Sequence, residues 1–75
     1  LYMFTIFIDM GDRFNYFKSQ ATELSEAQQE ALTLAFMGKD IYVIDCEKQD
    51  TYLTRYPYVG WEKRAGTNEY FCKNA

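Results

Sequence analysis

One segment of this chain has the residue pattern of a helix, and the apolar segments on both sides of it have the pattern of strands. Residues 26–37 are rich in the good helix formers Ala, Gln, Glu, Leu and Met. Their apolar stripe at helical spacing consists of Ala27, Ala31, Leu34 and Ala35. Ser25 and Gln28 have the spacing of a capping box, and Gly38 is the expected end of the helix. A helix of this kind buries its stripe only by packing on the neighbouring strands.

The first pair of predicted strands precedes the helix. Residues 3–9 and 13–19 are rich in β-branched and aromatic side chains, and Gly11-Asp12 between them suits a two-residue hairpin turn. This register pairs Phe7 with Tyr16. Because paired residues share a face, these two rings are expected on the same side of the sheet.

The second pair of predicted strands follows the helix. Residues 40–46 and 51–55 are joined by a polar four-residue loop, which pairs Asp45 with Tyr52. A short last strand over 69–73 would be the fifth. The sequence therefore predicts an α+β fold: a small antiparallel β-sheet of the order ββαββ, extended by this fifth strand if it pairs, with one α-helix packed on one face.

Length and composition fit a single small domain, residues 1–75, and exclude several classes. No apolar run approaches the roughly 20 residues that span a bilayer, so no membrane association is expected. With no His and two Cys, neither a metal site nor a cofactor is expected. Cys46 and Cys72 either pair or stay reduced; two reduced thiols in a cytoplasmic protein is the alternative we favour.

Catalysis is not expected from this sequence. A chain without His lacks the usual proton shuttle near neutral pH. The sequence also contains no nucleophile elbow and no phosphate-binding loop. We therefore interpret the protein as non-enzymatic.

The sheet face away from the helix is the expected functional surface. In the predicted registers it carries aromatic rings with an acidic rim, and Tyr and Phe are enriched in protein interfaces. The candidate partner-binding residues are Phe7, Asp9, Phe14, Tyr16, Asp45, Tyr52, Tyr58 and Trp61. The alternative is that the aromatic C-terminal segment folds over this face and buries it as a second core layer; the sequence leaves both open.

The distribution of charge indicates the kind of partner. Residues 1–50 carry a net charge of −5 and residues 51–75 one of +2. An acidic surface suits a basic or DNA-binding protein, and nucleic acid is disfavoured because Lys and Arg supply most affinity for phosphate. The sequence thus predicts a small protein-binding module, a regulator or inhibitor. The alternatives are single-stranded nucleic-acid binding through the aromatic and basic residues 55–64, and a homodimer joined through the aromatic face.

Overall fold

The sheet contains six strands rather than five. A computed structural model describes residues 3–11 and 15–73, and within these ranges the chain forms one helix and one sheet. The elements are β1 (Phe4–Asp9), β2 (Asn15–Ala21), α1 (Leu24–Ala35), β3 (Ile41–Asp45), β4 (Asp50–Thr54), β5 (Trp61–Lys63) and β6 (Glu69–Cys72). The strand order is β2-β1-β3-β4-β6-β5, and only β4 and β6 run parallel. The α+β class and the mainly antiparallel sheet are confirmed, whereas the count of five strands is wrong.

The helix lies on the sheet through small side chains. Ala27, Ala31 and Ala35 are fully buried, and they form one core with the equally buried Ile6, Ile41 and Val43. Residues four apart lie on the same side of a helix, so the three alanines make one narrow face. We call the side of the sheet that packs on α1 the inner face, and the opposite side the outer face.

The helix begins earlier than the capping-box pattern predicts. Its N-cap is Glu23, without a side-chain hydrogen bond to the helix, and Ser25 lies inside the first turn. The Thr22 hydroxyl instead donates to Glu26 Oε1 at 3.2 Å. The helix also ends earlier than predicted, at Ala35 with Phe36 as its C-cap, and Gly38 closes the turn that follows: its N–H donates to the Ala35 carbonyl, and its φ of 93° favours glycine.

The first hairpin pairs one residue out of the predicted register. Phe7 lies opposite Phe17, and Ile8 lies opposite Tyr16. A bulge between Ile6 and Phe7 adds one residue, Lys18, to β2. Because side chains alternate between faces, a shift by one residue moves Phe17 to the outer face and Tyr16 to the inner one.

The second hairpin pairs two residues out of the predicted register. Val43 lies opposite Tyr52, and Asp45 lies opposite Asp50. Asp45 Oδ1 accepts the backbone N–H groups of Glu47 and Lys48, both at 3.0 Å, and this fixes the turn. A shift by two keeps residues on the same side of the sheet, so Asp45 and Tyr52 still share a face, together with Val43.

The C-terminal segment widens the sheet. β6 is a short strand where the sequence predicts one, and it adds to β4 with Tyr52 opposite Tyr70. β5 then pairs with β6, and its Trp61 lies opposite Cys72. These strands continue the plane of the sheet instead of crossing its outer face.

Candidate functional site

A stripe of apolar side chains runs across the outer face. Cross-strand pairing places Phe17, Phe7, Tyr42 and Leu53 in one row over four strands. Phe71 of β6 adjoins the last two of them around a shallow depression of about 170 Å³. We call the outer stripe the set Phe7, Phe17, Tyr42, Leu53 and Phe71. The rings of Phe7 and Phe17 pack edge to face, with their centroids 6.0 Å apart.

The outer stripe is open to solvent. Phe17 is 50% exposed, and the other four residues are half-buried. α1 packs on the opposite face, and no helix or strand in the described part of the chain crosses the outer one. A contiguous exposed apolar patch usually marks an interaction site.

Carboxylates lie along one side of the stripe, beside Phe7 and Tyr42. Asp9 ends β1, and its Oδ1 accepts the Gly11 N–H at 2.8 Å. Asp40 precedes β3 and pairs with Arg55 at 3.1 Å. Burial raises the pKa of the Tyr42 hydroxyl, and the negative charges of Asp9 and Asp40 raise it further. This side of the stripe is therefore acidic.

The β6 end of the stripe is also bordered by charge. The Arg64 guanidinium lies 5.7 Å from the centroid of the Phe71 ring and 3.4 Å from Glu69 Oε1. Glu62 lies opposite Phe71 on the edge strand. Arg55 and Arg64 are thus each matched by one acid, while Asp9 and Glu62 make no ion pair with a described residue.

Four predicted site residues lie on or against the inner face. Tyr52 is buried there, with its ring stacked on Tyr70 at 4.3 Å and in contact with Trp61 at 4.6 Å. The Trp61 indole N–H donates to Thr54 Oγ1 at 3.1 Å, and Gln28 of α1 donates to the Tyr58 hydroxyl at 2.5 Å. Asp45 is buried as a turn residue. The predicted face was wrong for Asp45 and Tyr52 because the helix covers their side of the sheet.

Of the remaining predicted site residues, two are on the outer face. These are Phe7 and Asp9. Tyr16 lies on the inner side, beside α1, and Phe14 lies outside the described residues. The sequence analysis missed Phe17, Tyr42, Leu53 and Phe71. Tyr42 is next to the buried Val43, and Leu53 is next to the buried Tyr52, so alternation along each strand would have indicated Tyr42 and Leu53.

Because Tyr52 is buried, the free energy of unfolding should vary with pH in the alkaline range. Burial, followed by the nearby Tyr70 and Asp50, raises the pKa of its hydroxyl from 10.0 to about 12. Between pH 10 and about pH 12, the Tyr52 hydroxyl therefore stays protonated in the folded state and ionises in the unfolded chain. The free energy of unfolding has its full value below pH 10 and falls as the pH rises to about 12. We expect Tyr52 to account for a loss of about 2 kcal/mol in the free energy of unfolding over that window.

The Tyr52→Phe variant tests this in urea titrations at stepped pH. It should show a shallower decline in stability above pH 10 than the wild type. The control is Tyr16→Phe, because Tyr16 is 56% exposed. Parallel pH profiles for the wild type and Tyr52→Phe would contradict this placement of Tyr52.

Comparison with protein-family models, curated proteins and solved structures found no match to this chain.

Both Cys46 and Cys72 are free thiols. Over residues 3–11 and 15–73, no group of three or more Cys, Asp or Glu side chains is arranged to hold a metal ion. No helix in these ranges is long and apolar enough to cross a membrane.

Proposed function

We propose that this protein is a non-enzymatic binding module that regulates or inhibits a basic partner protein by docking on it through the outer face. The observation that carries the proposal is the open outer stripe. The C-terminal strands extend the sheet and leave these rings in contact with water, at a cost that association would recover.

The shape of the stripe supports a protein partner. Its side chains project from paired strands, so their positions are set by the sheet rather than by loops. Rigid aromatic groups bury a large area with little loss of side-chain entropy, and they are enriched among the residues that dominate binding.

The charges support a basic partner. The chain has a net charge of −3, and the acids Asp9 and Glu62 border the stripe without ion pairs to described residues. Opposite charges across an interface speed encounter and exclude unsuitable partners. Two copies of the chain, each with a net charge of −3, repel each other, which disfavours the homodimer.

The packing of the C-terminal rings disfavours the nucleic-acid alternative. Binding of single strands requires exposed rings on which bases can stack. Tyr58 and Trp61 instead pack on each other, with centroids 5.8 Å apart, and bond to inner-face partners. Of the rings in residues 55–64 only Tyr56 is exposed, and it packs edge to face on Phe36 with the centroids 4.9 Å apart, so the basic groups there have one accessible ring instead of a row of them.

Alanine variants of the outer stripe test the proposal. Phe7→Ala and Leu53→Ala should each weaken binding to the captured partner about tenfold, as expected for central interface residues. Binding is measured by calorimetry with the partner recovered from the native host, and folding is checked by circular dichroism. The control is Leu32→Ala, since Leu32 is exposed on α1. Equal affinity for the wild type and both stripe variants would refute the proposed face.

A further inference from the structure

A second apolar groove lies on the inner side of the sheet, between the end of α1 and the first hairpin. Its volume is about 500 Å³, within the range of small-molecule sites. Its lining consists of Ile8, Met10, Tyr16, Lys18, Leu34, Met37, Lys39 and Ile41. All eight are described residues, and none belongs to the outer stripe, so the groove is independent of the proposed docking face.

The groove follows from the way the helix ends. α1 stops at Ala35, and the chain turns away at Gly38. Leu34 and Met37 on the helical side face Tyr16 of β2 across the groove. The fully buried Ile41 also lines it, so its deepest part is apolar.

Two lysines are the charged groups of this lining. Lys18, the bulge residue of β2, and Lys39, which follows the helix, both contribute to it. No carboxylate lines the groove, and neither lysine makes an ion pair with a described acid. In a chain with a net charge of −3, the lining of this groove is locally cationic, and the nearest carboxylates, Asp9 and Asp40, lie in an adjoining depression that shares Met10 and Lys39 with it.

We propose that this groove binds a medium-chain fatty acid, with the alkyl chain on the apolar lining and the carboxylate between Lys18 and Lys39. Burial of methylene groups supplies the main free energy, and the lysines select the anionic end. Met37 is 75% exposed and Met10 is 43% exposed. Because thioether side chains are flexible, both can close over a bound chain.

Titration of the full chain with decanoate, followed by amide chemical shifts, tests the assignment. Decanoate should bind more tightly than decanol, and decanol more tightly than decyltrimethylammonium. The shifted residues should be those of the groove and not those of the outer stripe. Equal affinity for the three probes, shifts confined to the outer face, or no saturable binding would overturn the proposal.

Lysine variants test the role of charge. Because exposed ion pairs contribute modestly, Lys18→Gln and Lys39→Gln should each weaken decanoate binding about threefold, and the double variant about tenfold. None of these variants should change the affinity for decanol. The control is Lys48→Gln, since Lys48 lies in the turn between β3 and β4. A double variant that binds decanoate like the wild type would refute the carboxylate site.

Discussion

Replacing Trp61 by alanine is expected to lower the free energy of unfolding by about 3 kcal/mol, the lower end of the range for large aromatic side chains. The indole contacts the ring of Tyr52 and satisfies the hydroxyl of Thr54, which is fully buried. A domain of this size is stable by roughly 4–11 kcal/mol, so the loss would be a large fraction of the total. Urea unfolding followed by circular dichroism measures it.

A more conservative variant separates the ring from its hydrogen bond. Trp61→Phe keeps an aromatic ring but leaves the Thr54 hydroxyl without its donor, so we expect a loss of about 1 kcal/mol. The same loss should disappear when Thr54→Val is already present, because the two groups act as a pair. If Trp61→Ala were as stable as the wild type, Trp61 would be a surface residue and its assignment to the inner packing would be wrong.

The second large effect concerns two neighbours on β1. Ile6→Ala should cost about 3 kcal/mol, because Ile6 is fully buried beneath α1 and the substitution leaves a cavity. Phe7→Ala should cost only about 1 kcal/mol, chiefly the edge-to-face contact with Phe17. The two free energies of unfolding are measured under identical conditions.

This difference is a direct test of the two faces. Successive residues of a strand point to opposite sides of the sheet, so one substitution reports on the inner face and the next on the outer face. If Phe7→Ala were as destabilising as Ile6→Ala, something in the chain would cover the outer stripe. The same measurement establishes whether Phe7→Ala is folded enough for the binding experiment.

Much of the fold was predictable because it depends on local signals. The alanine-rich periodicity of residues 26–37 and the glycine at position 38 indicate one helix with a defined end. The β-branched and aromatic segments indicate the four main strands. Asn68 and the residues before it mark the turn that precedes β6, in which the Thr67 N–H donates to the Arg64 carbonyl.

The register of the first hairpin was not predictable in the same way. Gly11-Asp12 suits a two-residue turn, yet Asp9 lies opposite Asn15 instead of Phe14. The bulge at Lys18 has no local sequence signature, because it depends on how β1 and β2 pair along their whole length. A shift of one residue exchanges the faces of Tyr16 and Phe17, so Tyr16 was wrongly predicted on the outer face and Phe17 was missed there.

The choice of face was also beyond the sequence. Both sides of the β3–β4 hairpin are partly apolar. The alternation of residues along its strands shows which side chains share a face, but it does not show which of the two faces α1 covers. Parallel pairing of β6 with β4 joins segments separated by the whole β5 region, and no local pattern indicates it. Which side chains form the outer face therefore depends on the topology: Phe7 and Asp9 were predicted there, while Phe17, Tyr42, Leu53 and Phe71 were not.

Site-specific photo-crosslinking from the middle of the outer stripe tests the account most directly. A benzoylphenylalanine at position 53 should form an adduct with a basic protein of the native host, whereas the same group at position 32, on the exposed side of α1, should not. Mass spectrometry of the adduct identifies the partner and the contacted peptide. An adduct from position 32 but not from 53, or a position 53 adduct that contains only a second copy of this chain, would contradict docking of a basic partner on the outer face.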